Sequence, residues 1–113
     1  MEDYKKICSI TDLEEGEGQR FELDDENEVA VFKVKGKVFV LDNICPHNHT
    51  PKIFEGRIYG HNVECPIHGY RFDMVTGNNK SVSGCPIKIF EHKIINDDLY
   101  VKKPTHKKFN FEF

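Results

Sequence analysis

Short apolar runs separated by turn residues recur along this chain, and no window of usable length repeats at a helical period. Residues 4–10 read as a first strand and 19–23 as a second. Between them Thr11-Asp-Leu-Glu14 has the form of a capping box, which predicts a single helical turn. Residues 29–34 and 37–41 flank Lys35-Gly36 and predict a hairpin. Three shorter strands come next at 57–59, 62–64 and 70–74, with turn residues at Gly60-His61 and Thr76-Gly77-Asn78. Residues 87–95 and 99–102 predict a last hairpin across Asn96-Asp97-Asp98, and 104–113 form an appended tail. The pattern is that of an all-β domain.

At 113 residues the chain is one small domain with a modest core. An apolar fraction of 38% and a charged fraction of 31% exclude the disordered and fibrous classes. Nine Phe and four Tyr supply core area in the absence of Trp. No apolar run is long enough to span a bilayer, and the charged start Met1-Glu-Asp-Tyr-Lys-Lys lacks the apolar stretch of a secretory signal. The expectation is a cytoplasmic protein without a membrane partner. In that setting four cysteines point to metal or redox chemistry before disulfides.

Charge changes the picture little. The net −3 is uneven: residues 1–28 hold eleven acids and three bases, and residues 102–113 hold four lysines and one acid. With no extended basic patch ahead of the tail, nucleic acid is not an expected partner. The acidic half reads as a solvated face, with steering of a basic partner as the sharper alternative.

Two segments carry the candidate chemistry: Cys45-Pro46-His47 and Cys65-Pro66-Ile67-His68, seventeen residues apart. Each offers one thiolate and one imidazole in a loop after a predicted strand. Each has a proline after the cysteine, which removes a donor and stiffens the loop. A Cys2His2 set also suits structural zinc, but zinc-finger spacings group cysteines with cysteines and histidines with histidines, whereas both pairs here are mixed.

Cys-x-His, seventeen residues and Cys-x-x-His resemble the ligand pattern of Rieske iron–sulphur proteins. The stretch from Cys65 through Tyr70-Arg-Phe-Asp-Met-Val-Thr-Gly77 is similar to the segment after the second ligand pair in Rieske-type ferredoxins and dioxygenase Rieske domains. Ser83-Gly-Cys-Pro86 falls where that family has a proline-containing loop covering the cluster. The likeness spans residues 4–103. It implies a [2Fe-2S] cluster with Cys45 and Cys65 on one iron and His47 and His68 on the other. It also implies an all-β Rieske fold, with an antiparallel β-sandwich base and a small inserted cluster-binding subdomain at about 43–84. The domain would then be residues 1–103, with 104–113 outside it.

Departures from the family pattern set the subtype. Respiratory Rieske proteins carry a further cysteine in each ligand loop, forming a disulfide; Thr50 and Ile67 stand there in this chain. Those proteins also have Ser and Tyr two and four residues after the second histidine, as donors to sulphur, where this chain has Tyr70 and Phe72. Fewer donors imply a potential in the lower part of the family's span of roughly −150 to +300 mV. His49 replaces a glycine common in the family, which puts the backbone of the first loop in question. Cys85 falls in the covering loop, Cys8 reads as a small apolar core residue, and His61, His92 and His106 have no recruiting spacing.

The resemblance implies a monomeric electron carrier, not an enzyme in itself, between a flavin-containing reductase and a terminal oxygenase. The chain has no G-x-G-x-x-G nucleotide fingerprint and no second iron site of the two-His-one-carboxylate kind. The alternatives are a small subunit or accessory domain of a nitrite-reductase-like enzyme, and a zinc or interaction module.

Overall fold

Val29, Ala30, Val31 and Phe32 are four consecutive apolar residues, and consecutive side chains of a strand point to opposite faces. Such a run is stable as a strand only when both faces are covered. This requirement organises the molecule. The structure is a computed structural model and describes residues 3–46, 49–67, 69–82 and 84–104.

Nine strands run in chain order: β1 (Tyr4–Ser9), β2 (Gly18–Glu22), β3 (Glu28–Val34), β4 (Lys37–Asp42), β5 (Arg57–Tyr59), β6 (Asn62–Glu64), β7 (Arg71–Asp73), β8 (His92–Ile95) and β9 (Asp98–Lys102). They form three antiparallel three-stranded sheets in the orders β1-β9-β8, β2-β3-β4 and β5-β6-β7. The β2-β3-β4 sheet is the middle layer. From β3 and β4 it sends Val29, Val31, Val38 and Val40 into one core with Leu13, Leu23, Phe90, Leu99 and Val101, closing a sandwich with the β1-β9-β8 sheet. From its other face Ala30, Phe32 and Leu41 enter a second core with Ile53, Val63, Phe72, Met74 and Ile87. Cys45 and Cys65 belong to this second core.

Local chemistry explains the turns. β3 and β4 pair through Val34 and Lys37, leaving Lys35 and Gly36 as a two-residue turn with φ of 53° and 79°. Positive φ at both positions is the twist that suits a tight hairpin. Asn96 and Asp97 repeat this device between β8 and β9, with φ of 53° and 67°. The last turn is therefore two residues long, not three, because Asp98 already pairs with Ile95.

Two expectations are corrected. The helical turn is a 3-10 segment at Ile10–Asp12, capped by Ser9, whose Oγ accepts from the Thr11 N–H; the Thr11–Glu14 capping box does not form. Residues 87–95 are not one strand. Asp42 and Phe90 bond across to Lys88 and Val40, so this stretch first lies along β4, and from Glu91 onward it lies along β9. One extended run thus serves two sheets, and only His92–Ile95 is a strand of the second. The tail beyond Pro104 lies outside the described residues.

Candidate metal centre

Cys45 comes three residues after β4, and Cys65 directly after β6. Both are fully buried, and among the described residues no disulfide joins two cysteines. The two loops share one backbone design. The Cys45 N–H donates to the Thr50 carbonyl at 3.0 Å, and the Cys45 carbonyl accepts from the His49 N–H at 2.7 Å. In the second loop, Cys65 N–H donates to Tyr70 at 2.8 Å, and Cys65 C=O accepts from Gly69 at 2.9 Å. In each the residue four after the cysteine is left-handed: His49 at φ 59° and Gly69 at φ 74°. His49 thus adopts the glycine-like conformation, as a minority of non-glycine residues do, and the first loop keeps the closing bonds of the second.

What closes each loop differs. The second is bracketed by strands, since Glu64 pairs with Arg71 across β6 and β7. The first runs from β4 into the 3-10 segment Ile53–Glu55 and has no such ladder among the described residues. Its closure falls to Asn43, which is fully buried. Asn43 Nδ2 donates to Glu28 Oε2 at 2.6 Å and to the Pro51 carbonyl at 3.1 Å, while Oδ1 accepts from the Phe54 N–H at 2.8 Å. Its backbone carbonyl accepts from Ile53, and its N–H donates to the Glu28 carbonyl, both at 3.2 Å. Glu28 in turn holds Arg20 through Nε at 3.0 Å and Nη2 at 3.2 Å. The Arg20 guanidinium, together with the Asn43 amide, holds the Glu28 carboxyl below the usual range against the opposing effect of burial.

The segment after β7 folds back along that strand. Arg71 donates its N–H to Ser81 Oγ at 3.1 Å, and its carbonyl accepts from Lys80 at 2.6 Å. Asn79 Oδ1 takes the N–H groups of Ser81 and Val82, and Asn79 Nδ2 donates to the Cys85 carbonyl at 3.2 Å. Gly77 closes the segment: its carbonyl accepts from Ile87 N–H at 2.8 Å, and a Cβ there would lie 2.3 Å from the Ile87 oxygen.

Of the four residues singled out by spacing, Cys45 and Cys65 come together in one core, and His47 and His68 lie outside the described residues, as do Ser83 and His106. Among the described residues no set of three or more His, Cys, Asp or Glu side chains is gathered as a metal site. Phe72 is fully buried in the same core as the cysteines and has no hydroxyl to donate, while Tyr70 packs against that core. Thr50 is half-buried and Ile67 exposed. Cys8 is half-buried, and burial, with a smaller effect from the charges of Asp12 and Asp98, pushes its thiol up, which suits inert packing. Cys85 is half-buried. His61 sits 3.4 Å from Asp73 at the surface, and burial holds His92 below the usual imidazole value. Asn43 and Glu28 escaped the sequence reading: an Asn near a loop and a Glu at a strand start carry no spacing signal.

Comparison with known proteins bears on what this arrangement is for. The model of the Rieske [2Fe-2S] domain matches residues 3–91. The chain belongs to the Rieske [2Fe-2S] domain family. The ferredoxin component of biphenyl 2,3-dioxygenase from Rhodococcus jostii (strain RHA1) is 36% identical over 97 residues, covering 85% of this chain and 89% of that protein. Among solved structures, the ferredoxin of Sphingomonas yanoikuyae B1 is similar at 31% identity and a TM-score of 0.80, covering 88% and 98% of the two chains. A chain from the complex of reduced oxygenase and oxidised ferredoxin in carbazole 1,9a-dioxygenase matches at 26% and 0.80, covering 94% and 100%. The small subunit of the nitrite reductase [NAD(P)H] of Erwinia carotovora matches at 17% and 0.74, covering 95% and 86%, a likeness of fold alone.

The Rieske domain therefore carries a [2Fe-2S] cluster and serves as an electron carrier, the electron-transfer component of a larger system. The cysteines of this chain fit that group. Two buried thiols on loops closed by the same backbone bonds share an apolar core, and a thiolate in such surroundings is stable only with a cation bound to it. The zinc reading gives way to this match. Among the described residues no helix is long and apolar enough to cross a membrane.

Proposed function

We propose that Cys45, His47, Cys65 and His68 hold the cluster, and that the chain passes single electrons from a flavin-containing reductase to the terminal oxygenase of a ring-hydroxylating type of system. The observation that carries the reading is the matched pair of cysteine loops, with both thiols fully buried in one core. When bound, the cluster supplies a one-electron couple. Cys45 and Cys65 hold the inner iron as thiolates, and neutral His47 and His68 hold the outer one, which lowers the negative charge of the site and raises its potential relative to all-cysteine ligation. Phe72, Ile53 and Met74 exclude water from the cysteine side. The loops at 44–51 and 65–70 themselves carry no Asp, Glu, Lys or Arg.

The ligand-bearing part is the segment 43–84, inserted between β4 and the run along β4 and β9, with 1–103 as the domain, 104–113 as a tail, and a monomer as the working unit. The terminal oxygenase as acceptor is supported by relatives named as ferredoxin components of dioxygenase systems and by the ferredoxin–oxygenase complex among similar structures. The nitrite reductase likeness, at 17% identity, supports the fold only.

The test is the EPR spectrum of the purified chain after dithionite reduction, and then reconstitution with candidate reductases and oxygenases while nicotinamide oxidation is monitored. A Rieske-type signal in the native chain that is lost in Cys45→Ser and in His68→Ala supports the ligand set. Retention of the signal in either variant overturns it.

A further inference from the structure

The two ligand loops are alike inside and unlike outside. Both are held by the same pair of backbone hydrogen bonds around the cysteine and by a left-handed residue at the same offset. The second also has its two ends tied by the β6–β7 ladder, at Glu64 and Arg71. The first has no ladder after its far end, where the chain enters a 3-10 segment. A loop whose ends are not paired as strands needs other cross-links to hold two ligands at fixed angles, and small displacements of supporting groups propagate to metal ligands.

Asn43 stands where that ladder is missing. Its backbone continues β4 by bonding to the Glu28 carbonyl of β3, and its own carbonyl takes the Ile53 N–H. Its side chain supplies the other connections, taking the Phe54 N–H and donating to the Pro51 carbonyl and to Glu28. The near end of the loop, its far end and the middle sheet are thus joined through one amide. An amide is needed because these partners are one donor and two acceptors, and among uncharged side chains only Asn and Gln offer two N–H donors beside an acceptor oxygen. Full burial makes the contacts strict, since no water replaces a lost partner without opening the core. Arg20 holds Glu28 from the other side with two hydrogen bonds, so the anchor is itself fixed.

We propose that Asn43 is a positioning residue for the first ligand loop, replacing with side-chain hydrogen bonds the strand ladder that closes the second, and so setting how firmly Cys45 and His47 are held. This rests on the reading of Cys45 and His47 as ligands. It concerns their support, not their identity.

The experiment compares the cluster-loaded native chain with Asn43→Ala, Glu28→Gln and Val101→Ala. Val101 lies in the other core, among Leu99, Val29 and Val31, so its truncation lowers stability without touching the loop. The readouts are the EPR spectrum of the reduced protein and the first-order rate of cluster loss to a chelator, both well below the melting temperature. Asn43→Ala is expected to release the cluster at least tenfold faster and to shift or broaden the EPR signal. Glu28→Gln, which keeps an acceptor oxygen for the Asn43 amide, stays within threefold of the native rate. Val101→Ala lowers Tm but leaves the EPR signal unchanged and the rate within threefold. A native-like signal and a rate within twofold in Asn43→Ala overturn the proposal, as does an equal effect in Val101→Ala. If Asn43→Ala does not fold, Asn43→Ser, which keeps an oxygen for the Phe54 N–H but no amide donor, is held to the same criteria. A native chain that takes up no cluster overturns the ligand reading itself, an outcome distinct from unaltered behaviour in the variants.

Discussion

Two glycines with similar backbone conformations separate backbone strain from steric exclusion. Gly60 has φ 62° and Gly77 φ 85°, both left-handed. A Cβ at Gly60 meets nothing within 4 Å, whereas at Gly77 it would lie 2.3 Å from the Ile87 oxygen and 3.2 Å from Ile89 Cγ1. Gly60→Ala therefore costs the left-handed strain alone, about 1–2 kcal/mol, offset by about 0.4–1 kcal/mol from the stiffer unfolded chain. Gly77→Ala adds an overlap with backbone that no rotamer relieves. Either the chain shifts, at about 1–3 kcal/mol of overpacking, or the hydrogen bond from Ile87 N–H to the Gly77 carbonyl opens at about 1–3 kcal/mol. The expected totals are about 1 kcal/mol for Gly60→Ala and about 2–4 kcal/mol for Gly77→Ala. For a domain of this size each kcal/mol moves Tm by about 4 °C, so the drops are about 4 °C and about 8–16 °C. The assay is thermal unfolding of cluster-loaded protein by far-ultraviolet circular dichroism, with visible absorbance recorded in parallel, all at one scan rate because loss of the cluster makes unfolding irreversible. In Gly77→Ala the visible band is expected to fade before the secondary structure melts, because the segment at 78–86 loses its closing bond. Equal Tm drops in the two variants, within about 3 °C, would refute the steric reasoning.

The same contacts lead to other expected outcomes. Glu28 has its folded pKa lowered, so its contribution is complete above the ordinary glutamate value of about 4.3 and is lost as pH falls through the lower folded value; Glu28→Gln should flatten the acid limb of a Tm-against-pH curve, and an unchanged limb would count against the Arg20–Glu28–Asn43 chain. His92, held below its ordinary value by burial, makes the fold lose stability as pH drops below about 6.5; His92→Phe should remove that slope in the same curve. Replacing His49 with Val, a β-branched residue at φ 59°, should cost about 1–2 kcal/mol by denaturation, whereas His49→Gly should cost nothing measurable. The reduction potential, by protein-film voltammetry, should lie in the lower part of the roughly −150 to +300 mV Rieske span, and a value well above zero would show that donors other than the residues at 70 and 72 reach the sulphurs.

The ligand pattern was legible in the sequence because it is local: each cysteine lies within three residues of its histidine, and spacing survives without coordinates. The strands of the middle sheet were legible for a similar reason, since a short β-branched apolar run such as Val29–Phe32, bounded by turn residues, reads as a strand covered on both faces. Turn residues at Lys35-Gly36 and Asn96-Asp97 also announce themselves, because few residues accept positive φ. Sequence could not divide residues 87–95 between two partners, for β4 and β9 compete for one extended run and only packing assigns each part. Nor could it find Asn43, whose partners stand fifteen residues before it, at Glu28, and eight and eleven after it, at Pro51 and Phe54. The ordinary sequence around Gly77 likewise hides a contact with Ile87, ten residues on. By itself the sequence determined the types of the candidate ligands, their spacing and the all-β class. Tertiary structure decided how the first loop is braced, because hydrogen bonds between residues far apart in the chain exist only once the sheets have brought them together.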